Sequence, residues 1–302
     1  MAVTAAGPAK TASSPAPPPA ADELAPQRSR VWSKLRASRA AWIGGGIVAL
    51  FLLMALLAPL LAPADPDRTN FMLIRKAPSA QHWLGTDELG RDMLARLLYG
   101  ARASLMAGVI SVAIAVGVGV PIGLLAGWRG GWFDTVVSRA TDALLACPFL
   151  ILAIAFAAVL GPSLTNAMIA IGLSAVPIFI RLARGQAISV KAEDYIEGAR
   201  AVGVRDRVIL LRHLAPNTLP PILVQATLFM AQAIILEASL SFLGLGQQPP
   251  APSWGSMLNT AKNFMEQAPW MSVSPGIAIC LVVLGFNLLG DGLRDALDPK
   301  ET

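Results

Sequence analysis

Six apolar runs, each near twenty residues long, constrain this chain more than any other feature. They fall at 41–61 and near 103–127, 141–160, 165–182, 218–245 and 271–290. At 1.5 Å rise per residue, each can cross the roughly 30 Å of hydrocarbon in a bilayer. Composition agrees: 55% of the 302 residues are hydrophobic, 14% are charged and the mean hydropathy is +0.59. A soluble domain carries about a quarter charged residues, so most of this surface must face lipid or other helices. The expected fold class is an all-α integral membrane protein with six transmembrane helices.

The spans divide the chain. Residues 1–40 are expected to be a disordered basic tail, because the Ala-, Pro- and Ser-rich start cannot bury enough surface to offset its ordering entropy. Residues 41–62 are the first transmembrane helix. Ala62-Pro63-Ala64 resembles a cleavage box, but the apolar run begins too late for a signal peptide, so an uncleaved span is expected. An external segment follows at 63–102, with an amphipathic helix around 89–98 in which Leu94, Leu97 and Leu98 share a face. A five-helix core occupies 103–290, and 291–302 form a second tail. Lys and Arg set the orientation. With the N-terminus inside, seventeen of the 24 lie on the cytoplasmic side, so both termini are expected in the cytoplasm.

Several functions are disfavoured. The net charge of +5 sits in loops between apolar runs, which fits membrane orientation and not nucleic-acid binding. Cys147 and Cys280 lie in separate apolar segments and read as buried thiols. With only His82 and His213 in the chain, no metal site is expected. No lysine follows a glycine, which rules out a phosphate-binding P-loop, and neither a nucleophile elbow nor a zinc-protease motif occurs. A catalytic role is not expected.

The longest inner-side polar stretch is 181–217, with the coupling segment proper at 183–217. Glu193 and Asp194 stand where a helix start favours negative charge, and Gly203 stands where a left-handed stop is wanted. A second short helix is expected near 205–214, ending before Pro216. By spacing alone this hairpin is either a docking element or a solvated, charged loop.

Glu197-Gly198-Ala199, three residues and Gly203 resemble the EAA-x3-G signature of bacterial ABC importer permeases. Gly198 replaces an alanine, and His213 and Ala215-Pro216 stand where that pattern has Ile and Leu-Pro. DYIEGARAVG followed by RHLAPN is similar to the form in dipeptide and oligopeptide permeases. HWLGTDELGRDMLARLLYGARASL (82–105), LEASLSFLGLGQQPPAPSWGSML (236–258) and NLLGDGLRDALDP (287–299) extend the likeness over roughly 40–300, in the C-type member of a permease pair. The resemblance implies a type I ABC importer bundle in the cell membrane, working by alternating access. It implies a coupling loop made by Glu193, Asp194, Glu197, Gly198, Ala199, Gly203, Arg212 and Pro216. It also implies a second permease subunit, two ATP-binding cassette ATPases that hold ATP and Mg, and an extracytoplasmic binding protein that delivers a peptide. No cofactor is expected on this chain. The alternatives are nickel or another small solute as cargo, an ATP-independent channel or carrier, and a membrane enzyme.

Intramembrane polar residues are costly and so informative. Gln225, Gln232 and Ser239 repeat every seven residues along the fifth span, either facing a translocation path or bonding helices together. Glu237 lies off that stripe and reads as a structural carboxylate. Arg139 and Asp142, three apart, are expected to pair on one helix. The 82–105 segment is expected either to cap the cavity mouth or contact a binding protein, or only to anchor the fold.

Overall fold

The computed structural model of the protein describes residues 33–297. Most of the expected N-terminal tail (1–32) and the last residues of the C-terminal tail (298–302) lie outside the described residues; residues 33–37 are already helical. The first span, α1 (Arg39–Leu56), starts where the Ser38 hydroxyl accepts from Ala41 N at 3.2 Å. It ends one turn before Pro59. Next come α2 (Met93–Arg129), α3 (Gly131–Leu145), α4 (Phe149–Leu160), α5 (Leu164–Lys191), α6 (Asp194–Ala201), α7 (Ala215–Phe242), α8 (Trp254–Ala261) and α9 (Trp270–Leu297). Among the described residues the chain is helical, with one isolated bridge between Thr86 and Asp92.

Five helices are long and apolar enough to cross a membrane; a sixth crossing is made if α3 and α4, bent by 93° to one another, count together. The expected straight span 141–160 is therefore broken. Pro148 lacks a backbone donor and holds Cys147 away from helical geometry, so the chain turns there.

Small residues let the helices touch. Gly119, Gly123 and Gly127 line one face of α2. A Cβ at these positions would lie 2.4–2.9 Å from atoms of α5 such as the Ile180 carbonyl oxygen and the Ala183 Cβ. On α1, Gly44 meets the backbone of α9 in the same way. Apolar side chains gain little by leaving lipid, so close packing of this kind holds the spans. Three apolar clusters result. One joins α1, α2, α8 and α9 around Phe51 and Trp254, which meet edge-on at 5.6 Å. A second joins α2, α4, α5 and α7 around Phe179 and Phe229. A third, at the opposite end from α8, gathers Trp128, Ala187, Ile196, Ile209 and Leu214. Many large apolar side chains point outward, among them Leu53, Val159 and Leu281, as lipid- or partner-facing surfaces require.

Four expectations need correction. The amphipathic helix is not separate: it forms the first turns of α2, whose N-terminus is capped by the Asp92 carboxylate accepting from Ala95 N at 2.8 Å. Its charged side is not exposed either, since Arg91, Asp92 and Arg96 are all buried. The cysteines are free but not buried, Cys280 being exposed on α9 and Cys147 half-buried at the break between α3 and α4. Arg139 is exposed and does not pair with Asp142, which instead bonds Arg181 on α5 at 2.5 Å.

Candidate functional site

The hairpin between α5 and α7 is built from few contacts. Glu193 is the N-cap of α6, with Asp194 and Glu197 in the first turn, as helix polarity favours. Gly203 takes a φ of +78°, and Val204 N donates to the Ala199 carbonyl at 3.1 Å, closing α6 with the left-handed stop that the sequence predicts. Within α6, Ile196 is the one fully buried side chain. It packs beside Trp128 at the end of α2. The Arg200 guanidinium lies 4.6 Å over the Trp128 ring, and Lys191 Nζ donates to the Trp128 carbonyl at 2.7 Å. Burial, and then the neighbouring Glu193 carboxylate, push the Tyr195 phenol above its ordinary value, while a hydrogen bond with Asn217 opposes them.

The rest of the hairpin faces outward. Glu193, Asp194, Glu197 and Gly198 are exposed, Ala199 is half-buried, and Val202 is 80% exposed. A Cβ on Gly198 or Gly203 would meet no other atom within 4 Å. The expected helix at 205–214 is a single turn, Asp206–Val208, followed by a π-helical stretch, Ile209–Leu214, that runs directly into α7. Arg212 is exposed on that stretch and Pro216 at the first turn of α7. Seven of the eight expected coupling residues thus fall on this one element, and the eighth, Pro216, stands where it runs into α7. Sequence reading missed Ile196 and Trp128, the pair that anchors it. The signal for Ile196 was a lone aliphatic residue in a charged helix.

On α7, Gln232 is exposed and Gln225 and Ser239 are half-buried; the Ser239 hydroxyl donates to its own helix, at Ile235 O, 2.8 Å away. The stripe lies on an outward face of this single chain. Glu237 is buried on another face, accepting from the hydroxyls of Ser104 on α2 at 2.9 Å and Ser241 at 2.7 Å. Its partners are hydroxyls instead of a cation.

At the far end, the 63–92 segment and the 243–269 stretch form a cap. Asp87 accepts from Leu89 N and Arg91 N, each at 2.9 Å, and from Arg91 Nε at 2.6 Å. Arg96 Nη1 donates to the carbonyls of Pro66 and Pro250 at 3.0 and 3.3 Å. The Trp270 indole donates to Thr86 O at 3.1 Å, and the Trp254 indole to Leu97 O at 3.1 Å.

Comparison with known proteins agrees with this architecture. Residues 119–302 match the family described as binding-protein-dependent transport system inner membrane component, and 27–78 match the N-terminal transmembrane domain of oligopeptide transport permease C. The chain is 46% identical, over 95% of each protein, to a dipeptide transport system permease protein of Alkalihalophilus pseudofirmus. It is 46% identical, over 92% of each, to a glutathione transport system permease protein of Salmonella typhimurium. Its fold resembles a chain of the MetNI methionine ABC transporter in an inward-facing form, with a TM-score of 0.57 at 21% identity, covering 68% of this chain and 98% of the other. The bent α3–α4 crossing, the projecting hairpin at one end and these likenesses converge, and the chain belongs to the binding-protein-dependent inner membrane components, the permease subunits of ABC importers.

Proposed function

We propose that the chain is the membrane-spanning permease subunit of an ATP-driven importer that moves dipeptides or oligopeptides into the cytoplasm by alternating access. The observation that carries this reading is α6, an exposed helix with acidic residues at its start and an open glycine turn at its end, held to the bundle by Ile196 and Trp128. Such a helix suits a partner whose backbone comes close. Two ATPase subunits, holding ATP and Mg, close on nucleotide and carry α6 with them, and a second permease completes the passage. The bundle then switches between two packings, biased by the contacts each state offers. The peptide cargo rests on the dipeptide and glutathione permeases that this chain resembles. A binding protein delivers the peptide to the capped end, which places both termini in the cytoplasm. Gln225, Gln232 and Ser239 face the path. Gln232→Leu is expected to slow uptake while the complex still assembles, and unimpaired uptake would remove the stripe from the path.

The test is reconstitution of the complete complex in proteoliposomes. Labelled dipeptide is expected to accumulate only with ATP and binding protein present. Accumulation of nickel in place of peptide would overturn the cargo, and transport by this chain alone would overturn the ATP-driven mechanism.

A further inference from the structure

Two ion pairs join α3 to α5, and they differ in kind. Asp134 and Arg184 form a two-pronged pair, Arg184 Nε to Asp134 Oδ1 and Nη2 to Oδ2, with side chains 17% and 34% exposed. Asp142 and Arg181 share a single bond of 2.5 Å, and their side chains are 55% and 60% exposed. The first pair is a brace. The second lies where the apolar stretches meet the inner-side polar segment: Arg181 opens that segment, about 15 Å from the end of α5, and Asp142 stands about 16 Å along α3 from its start. Above it the chain is apolar, from Phe149 through α4 and along α5 as far as Ile180. Charged side chains this open, at the edge of an apolar stretch, do not face lipid; they face water or a cavity. A cavity of about 130 Å³ opens beside them, lined by Ser138, Thr141, Ile180 and Arg184 as well as the pair. That volume holds about four waters at roughly 30 Å³ each.

We propose that Asp142 and Arg181 form a polar station on the translocation path that receives the charged termini of a peptide in transit. This rests on the peptide-import reading above. An exposed ion pair in water is only weakly favourable, so its two halves exchange partners readily. A free peptide carries an ammonium group and a carboxylate. Asp142 accepts from the first, and the Arg181 guanidinium donates two parallel hydrogen bonds to the second. The neighbouring brace keeps α3 and α5 together while the pair opens. The break between α3 and α4, five residues beyond Asp142, leaves the station at the mouth of the bent crossing.

The experiment uses the complete importer with Cys147→Ser and Cys280→Ser as background. Asp142→Cys is treated with a charged, membrane-impermeant thiol reagent in inside-out vesicles. Modification is expected, together with protection by a free dipeptide and weaker protection by its N-acetylated form. In parallel, Asp142→Asn and Arg181→Gln are each expected to lower dipeptide uptake roughly tenfold, the low end for losing a hydrogen bond to a charged group. Arg139→Gln, exposed on the same helix, is expected to change uptake less than twofold. An unreactive Asp142→Cys, as a covering helix of the second permease or lipid would cause, overturns the station. So does uptake unchanged by Asp142→Asn or Arg181→Gln. Failure of the unaltered complex to take up dipeptide, with Asp142→Cys still modified, overturns the cargo reading itself and the station with it.

Discussion

The cap and the hairpin occupy opposite ends of one bundle and are built on opposite plans. In the cap, buried charges are paired several times over and two indoles donate to backbone carbonyls of other segments. In the hairpin, one aliphatic side chain and one tryptophan hold a helix whose remaining faces are open. A surface that must present a fixed shape needs many mutual constraints. An element that another protein moves needs a firm root and a free face. Two glycines state the contrast in one residue each. Gly90 and Gly203 both have φ in the left-handed range, +72° and +78°. A Cβ on Gly90 would lie 1.8 Å from the Asn70 carbonyl oxygen, whereas one on Gly203 would meet nothing.

Gly90→Ala should therefore have the largest effect. Backbone strain and a clash with main chain combine to destabilise the cap by about 3 kcal/mol or more. Thermal unfolding of the purified complex reads this, and an unchanged melting temperature would show that the cap is not rigid. Ile196→Ala comes next. Emptying a buried site of this size is expected to cost about 2–4 kcal/mol, but locally. Hydrogen exchange should accelerate across 193–214 while the spans keep their protection. Faster exchange throughout would mean that the hairpin and bundle unfold as one unit, and the contrast with the cap would fail.

The spans themselves were legible because twenty apolar residues have few other destinations. The start and stop of α6 were legible too, since Glu193, Asp194 and Gly203 act through local backbone chemistry. What escaped was set by distant partners. The pairing of Asp142 with Arg181 joins residues 39 apart, and helical spacing pointed only to the near neighbour, Arg139. The buried charge around 87–96 looked like one side of a surface helix, because hydropathy cannot show that Pro66 and Pro250 supply carbonyls to Arg96. The run at 141–160 concealed a break because packed membrane helices tolerate an internal proline, and hydropathy does not show whether Pro148 bends the span or breaks it.

Gly203→Ala sharpens the comparison at smaller scale. The left-handed conformation costs an alanine about 1 kcal/mol, and no atom stands in its way. Melting should hardly change. If a partner backbone packs against this turn, ATP-coupled uptake should fall roughly fivefold, equivalent to about 1 kcal/mol of lost contact. Normal coupling would place the ATPase elsewhere on the hairpin.

The smallest effect belongs to Glu88, and its sign distinguishes a tight cap from a loose one. One carboxylate oxygen accepts from Arg91 Nη2 at 2.6 Å, while the other, Oε2, is buried without a hydrogen-bond partner. Burial first, and the adjacent Asp87 second, hold this carboxyl above its ordinary value; its own backbone N–H, Arg91 and Arg96 oppose them. Because the folded state favours the protonated form, Glu88 contributes most below the carboxyl value of the unfolded chain. That contribution is lost as pH rises through the folded value. Glu88→Gln supplies a neutral group at every pH. The variant should therefore melt higher than the unaltered protein near pH 7, by a few degrees at most, and the gap should close as pH falls toward the ordinary carboxyl value. The opposite order at neutral pH would mean that the Arg91 pair outweighs desolvation. The cap would then be wetter, and closer in character to the hairpin, than its packing implies.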